Sequence, residues 1–113
     1  MYGEIKVGGI NVPMIANAAT PLRYKQLFGK DLLTEFRGVE ENEAKAVESI
    51  PELAFIMAMT ATKKLEDMYT LTELDFIRWL SDFEWDDIAS EPFLNAVTEL
   101  WARDNAQDSQ PKN

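Results

Sequence analysis

The chain has 113 residues, a formal net charge of −9, and neither cysteine nor histidine. Its length is typical of one domain with one hydrophobic core. The negative charge argues against a nucleic-acid partner and an anionic membrane surface, because both are bound through an excess of lysine and arginine. Disulfides and thiolate metal sites need cysteine, and histidine is the commonest general base and metal ligand, so much hydrolytic and metal chemistry is excluded.

Residues 1–14 predict a β-hairpin. Apolar residues alternate with polar ones on both sides of Gly8 and Gly9, namely Ile5 and Val7 before the turn and Ile10 and Val12 after it. Two adjacent glycines can adopt the positive φ of a tight turn. Because a two-stranded hairpin is marginal alone, it must pack on the helices or pair with the edge of another chain, which would make a homo-oligomer.

Two short helices are predicted after the hairpin. Thr20 is a good N-cap, Pro21 a good first residue, and Gly29 a good left-handed end. The predicted inner face consists of Leu22, Tyr24, Leu27 and Phe28. A second short helix is predicted from Asp31 to about Gly38.

The first of these helices and the residue after its glycine end form the only basic stretch of the chain, with Arg23, Lys25 and Lys30. Basic residues on a helix usually face water. Alternatively, they form a positive patch for an acidic partner or for the acidic end of the chain itself.

The core is predicted at residues 53–61, the most apolar run in the chain. Ala and Met favour a helix there, and Pro51 suits its first position, with Ser49 or Ile50 as the cap. The spacing continues this helix to Met68, while residues 39–49 are polar and acidic and predict a loop that leads into a helical approach to Ile50 and Pro51. The run is too short to span a bilayer, which takes roughly 20 residues.

Two further helix starts lie in the second half of the chain. Thr72 precedes apolar residues at helical spacing, which are Leu74, Phe76, Ile77, Trp79, Leu80 and Phe83. Ser90 precedes a stripe of Phe93, Val97, Leu100 and Trp101. We therefore predict a mainly α fold, a compact helical domain of about four to six helices over residues 1–104, with a disordered tail at 105–113.

The acidic residues at 82–87 are the only candidates for catalysis or metal binding. An EF-hand loop counted from Asp82 needs Gly at its sixth position and Glu at its twelfth, where this chain has Asp87 and Phe93. We interpret the run as a solvated turn between helices. The sequence therefore predicts no catalytic residue, no cofactor and no metal. Trp85, flanked by acids, is the tryptophan expected nearest the surface, where aromatic residues often bind proteins.

Four segments carry a family resemblance, namely ATPLRY at 19–24, LFGKDL at 27–32, ELAFIMA at 52–58 and FIRWLSDFE at 76–84. They resemble segments of the tail assembly chaperones of long-tailed, siphovirus-like phages and prophages of Gram-positive bacteria. They occur in the order found in that family, after a short hairpin and around an acidic middle loop. The resemblance covers nearly the whole chain and consists of capping and packing residues.

The resemblance implies a non-enzymatic function. Such proteins bind the tape-measure protein, keep its apolar helical stretches soluble and bring tail-tube subunits to it. They act in the host bacterial cytoplasm and are absent from the mature virion. The start of this chain also lacks the basic and apolar regions of a secretory signal, which agrees with a cytoplasmic location. A longer form made by ribosomal frameshifting is common in the family. We expect the partner surface to include Arg23, Tyr24, Lys25 and Trp85.

Two other functions stay open at this stage. A small helical DNA-binding regulator, or another phage protein-interaction module, fits a chain of short helices, although only residues 21–30 are basic enough to bind DNA. An enzyme would have to use the carboxylates at 82–87.

Overall fold

Helices dominate the computed structural model, which describes residues 1–63 and 65–109. Two strands come first, β1 (Tyr2–Val7) and β2 (Ile10–Ile15). The helices in the described residues are α1 (Thr20–Phe28), α2 (Leu32–Glu41), α3 (Glu43–Thr62), α4 (Leu65–Met68), α5 (Glu73–Leu80), α6 (Trp85–Ile88) and α7 (Glu91–Ser109). The predicted fold class, mainly α with an N-terminal hairpin, is confirmed.

The hairpin packs its apolar face on the helices. Gly8 and Gly9 form the turn with φ values of 56° and 88°, and Val7 pairs with Ile10 across it. Strand β2 contacts α3, and β1 contacts α7. The buried residues of the hairpin are Ile5, Val7, Val12 and Met14. Ile10 shares their face but lies at the tip, where 54% of it is exposed.

Pro13 lies in β2 directly opposite Glu4. In a two-residue hairpin, hydrogen-bonded pairs alternate with non-hydrogen-bonded pairs, starting with the hydrogen-bonded pair beside the turn, here Val7 and Ile10. Glu4 and Pro13 are therefore a non-hydrogen-bonded pair. The N–H that proline lacks would have pointed away from β1, so its absence leaves the ladder between the two strands intact.

Helix α3 is the centre of the fold, and its predicted start was wrong. It begins after Asn42, whose side-chain oxygen accepts a hydrogen bond from the Ala44 N–H at 3.0 Å. Residues 39–49 were predicted as a loop leading into a helical approach; the helical approach is present as the first turns of α3, whereas the rest is the end of α2 instead of a loop. Pro51 lies inside the helix rather than at its first position. The helix ends at Thr62, and the predicted continuation to Met68 is the separate turn α4.

Burial explains why α3 tolerates an interior proline. Proline has no N–H to donate to the carbonyl four residues earlier, which costs a helix about 3 kcal/mol. The ten residues from Ser49 to Ala58 are all buried. Five of them are large apolar residues, and burying each contributes about 1.5–3 kcal/mol. These are Ile50, Leu53, Phe55, Ile56 and Met57. Their burial outweighs the missing hydrogen bond.

Helix α1 ends as predicted but begins one residue earlier. Ala19 occupies the N-cap position, and Thr20 is buried, with its hydroxyl oxygen accepting a hydrogen bond from the Asn17 N–H at 3.0 Å. Gly29 ends the helix with a φ of 70°. Leu22 was wrongly placed on the inner face, since 72% of it is exposed.

The C-terminal helices start where predicted. Thr72 and Asp75 form a reciprocal capping box at the start of α5, and the hydroxyl oxygen of Ser90 accepts a hydrogen bond from the Phe93 N–H at 3.3 Å. The predicted stripe on α7, Phe93, Val97, Leu100 and Trp101, is buried. Helix α7 continues to Ser109 and thus overlaps the tail predicted at 105–113, whose last four residues lie outside the described part of the chain.

Candidate functional site

The structure does not bring the four predicted partner residues together. Tyr24 is fully buried, so its predicted role in partner contact was wrong. Arg23 is half-buried, and its guanidinium donates a hydrogen bond to the Thr60 hydroxyl oxygen at 3.1 Å. Lys25 is exposed on α1. Trp85 lies on α6, exposes 66% of its surface and lines a groove that contains none of the other three.

That groove, with a volume of about 680 Å³, is the main candidate site in the described residues. We call it the α3–α6 groove. One wall comes from the first half of α3 and the other from α5, α6 and the segment between them. Its lining residues are Ala44, Val47, Glu48, Pro51, Glu52, Phe76, Leu80, Phe83, Trp85 and Ile88. Eight of these ten are apolar, which makes the groove suited to an apolar ligand or helix.

Helix α5 forms the second wall because it is attached to the core by aromatic contacts. Phe76 and Trp79 lie on one side of α5 and contact Phe55 of α3, with ring centroids 5.4 and 5.6 Å apart. Phe76 also meets Phe28 of α1 edge-on at 5.2 Å. No residue of α5 is fully buried. The helix therefore covers the middle of α3 and leaves Val47 and Pro51 at the floor of the groove.

A polar cluster of Tyr24, Lys30 and Glu52 adjoins the groove, which Glu52 also lines; Tyr24 and Glu52 are buried, and Lys30 is partly exposed. The Tyr24 hydroxyl donates a hydrogen bond to Glu52 Oε1 at 2.7 Å. The Lys30 ammonium donates to both carboxylate oxygens of Glu52 at 3.3 Å and to Glu48 Oε1 at 3.3 Å. Lys30 thus pairs with acidic residues of its own chain, which lie in the middle of the sequence and not at its acidic end.

Burial sets the ionisation of this cluster. It raises the pKa of the Tyr24 hydroxyl well above its usual value, and the Glu52 carboxylate adds to the rise. Burial also raises the pKa of the Glu52 carboxyl, although the hydrogen bond from Tyr24 and the charge of Lys30 oppose it. The cluster holds α1 against α3, and every buried side-chain nitrogen or oxygen in the described residues has a hydrogen-bond partner. We therefore assign it a structural role.

The acidic run at 82–87 is divided between α6 and the turn before it. Phe83 and Trp85 line the groove, whereas Glu84 and Asp86 are exposed. Over residues 1–63 and 65–109, no cluster of three or more acidic, histidine or cysteine side chains has the geometry to hold a metal ion. In the same ranges no helix combines the length and apolar character needed to cross a membrane.

Sequence reasoning missed most of the groove. Ala44 and Val47 escaped because residues 39–49 were predicted as a loop that becomes helical only near Ile50, and Pro51 escaped because it was predicted to start its helix. The signal was present: Asn42 is a good N-cap, and the residues that follow it include two alanines, the best helix formers.

Comparisons with known proteins returned no match, whether against protein-family models, curated proteins or solved structures.

Proposed function

We propose that this chain is a tail assembly chaperone of a long-tailed phage or prophage. It binds an apolar helical segment of the tape-measure protein in the α3–α6 groove and keeps that segment soluble. The family resemblance of the sequence motivates the identity of the client. The observation that carries the binding role is the groove itself, with its eight apolar lining residues.

The shape and composition of the groove favour a helix as the occupant. An amphipathic helix binds by placing one apolar stripe into a groove between helices. Trp85 stands at this groove with most of its side chain exposed, and tryptophan is among the residues that dominate binding energies at protein interfaces. Exposed apolar side chains continue beyond the groove on the outer face of α5, at Leu74 and Ile77.

The negative net charge of the chain contributes to the proposed mechanism by keeping complexes with the client apart. A chaperone that covers an apolar client must itself stay soluble and monodisperse, and a charge of −9 opposes association between complexes. Release follows when tail-tube subunits bind the same client surface more strongly, because specificity is a difference of affinities. On this proposal the protein acts in the host bacterial cytoplasm and leaves before the virion is complete.

The contacts of α1 weigh against the alternative of a DNA-binding regulator. Arg23 donates to Thr60, and Lys30 pairs with Glu48 and Glu52. Lys25 is thus the remaining exposed cation of the predicted basic stretch. A recognition helix needs several basic side chains that are free to reach phosphates and bases.

The test is co-expression with the tape-measure protein of the same phage, followed by measurement of soluble tape-measure protein and co-purification. We expect solubility to depend on this chain. The variant Trp85→Ala should reduce the yield of complex, because it removes the large exposed side chain at the groove. The matched control is Tyr2→Ala, which removes another exposed aromatic side chain, 59% exposed, from outside the groove.

Two results would count against the proposal. If the wild-type chain neither binds nor solubilises the tape-measure protein, the chaperone function is wrong. If binding occurs but Trp85→Ala and Tyr2→Ala behave alike, the client binds elsewhere than in the α3–α6 groove.

A further inference from the structure

The wall that α3 contributes to the groove carries a carboxylate among apolar side chains. Ala44, Val47, Glu48 and Pro51 line the groove, and their spacing of three, four and seven residues puts them on one face of the helix. A helix lying along this face would meet Glu48 within its contact surface. The Glu48 side chain is 64% exposed and therefore accessible to a partner.

The charges around the groove are predominantly negative. Both charged lining residues in the described part of the chain, Glu48 and Glu52, are acidic. On the opposite side, Glu84 and Asp86 flank Trp85, and both are exposed. Lys30 shares one ammonium between two carboxylates, because it pairs with Glu48 and Glu52 at 3.3 Å each. Together, Lys30, Glu48 and Glu52 therefore carry a net negative formal charge.

We propose that the occupant of the α3–α6 groove is a basic amphipathic helix of a partner protein. Its apolar stripe lies on Val47, Pro51 and Trp85, and its Lys or Arg residues beside the stripe face Glu48 on one side and the α6 carboxylates on the other. This inference rests on the groove function proposed above and adds the chemical class of the client. Opposite charges at the rim select the partner and fix its orientation.

The same charges disfavour a second copy of this chain as the occupant. A second copy also carries a net charge of −9, so its approach to an acidic groove is repelled. Its basic stretch on α1 offers no suitable apolar stripe, because Tyr24 faces the core and Arg23 is bonded to Thr60. A separate, positively charged helix is the complementary partner.

The experiment uses three synthetic helical peptides of about 18 residues, long enough for five turns. All three carry the same leucine stripe, and the positions beside it are Lys, Gln or Glu. Binding to the full chain is measured by anisotropy of a labelled peptide at low and high salt. Glu48→Gln is the test variant, Glu4→Gln on β1 is a control with the same change of charge, and Trp85→Ala tests for the groove.

We expect the Lys peptide to bind most tightly and to lose this advantage at high salt. Glu48→Gln should weaken the Lys peptide about two- to fivefold, the range for one exposed ion pair, and leave the Gln peptide unchanged. Glu4→Gln should change neither peptide. Trp85→Ala should weaken every peptide that binds.

Four results would overturn the inference. Equal binding of the Lys and Gln peptides at low salt refutes the charge preference and leaves the groove function standing. Lys-peptide binding that is insensitive to Trp85→Ala reflects diffuse attraction to an acidic surface. If none of the three peptides binds while the tape-measure protein still co-purifies, the occupant of the groove is not a simple helix with an apolar stripe. Concentration-dependent self-association blocked by Trp85→Ala identifies a second copy as the occupant.

Discussion

The variant Tyr24→Phe tests whether Tyr24 is structural or a partner contact. It removes one hydroxyl and leaves the ring in place, so the 2.7 Å hydrogen bond to the buried Glu52 carboxylate is lost. Hydrogen bonds to charged groups contribute about 1.5–3 kcal/mol. For a chain of this length we expect the melting temperature to fall by about 4 °C per kcal/mol. Chaperone activity should stay unchanged while the protein is folded.

The destabilisation caused by Tyr24→Phe should depend on pH in a definite direction. Glu52 has a raised pKa in the folded state, so the folded protein holds this proton more tightly, and its contribution to stability falls as pH rises through that pKa. The Tyr24 hydrogen bond lowers the pKa of Glu52, so Tyr24→Phe raises it further. The variant should therefore be destabilised more at neutral than at mildly acidic pH.

Urea unfolding at the two pH values measures this difference. The control is Tyr2→Phe, which removes an exposed hydroxyl on β1 and should leave the unfolding midpoint unchanged. Equal stability of Tyr24→Phe and Tyr2→Phe would refute the buried cluster. A larger loss at mildly acidic pH would refute the assigned ionisation of Glu52.

Two further predictions concern local geometry. Gly8→Ala should destabilise the fold by about 1–3 kcal/mol more than Gly9→Ala in urea unfolding. Both glycines have a positive φ, but only a Cβ on Gly8 would clash, 2.5 Å from Asp87 Oδ2. Equal losses would argue against contact between the hairpin turn and α6, and Asp87→Ala should restore part of the stability that Gly8→Ala removes. Asn42→Ala should lower the free energy of unfolding by about 1 kcal/mol, because it removes the cap of α3. The control Asn95→Ala on α7 should not lower it. If thermal unfolding shows the same loss for both variants, α3 does not start at residue 43.

The sequence predicts those parts of the fold that depend on the conformational preference of one or two neighbouring residues, such as turns and helix caps. The glycine pair specifies a tight turn, and the Thr72 and Ser90 caps agree with the apolar spacing that follows each of them. Pro51 led to a wrong start for α3, because proline by itself prefers the first turn of a helix. In the structure, the burial of Ser49 to Ala58 stabilises a helix that runs through Pro51. The candidate site was less predictable, since its walls come from residues 44–52 and 76–88, which meet only after packing. Trp85 was identified because its flanking acids already indicated exposure.

Pro13 has a consequence for the protein at high concentration. Each strand of an isolated hairpin has one outer edge, and unpaired N–H groups there can template the addition of further strands and, eventually, fibrils. The outer edge of β2 lacks a donor at Pro13, which interrupts such a template. High concentration of the chain favours strand addition, and the missing donor at Pro13 opposes it when many copies of the chain are crowded together.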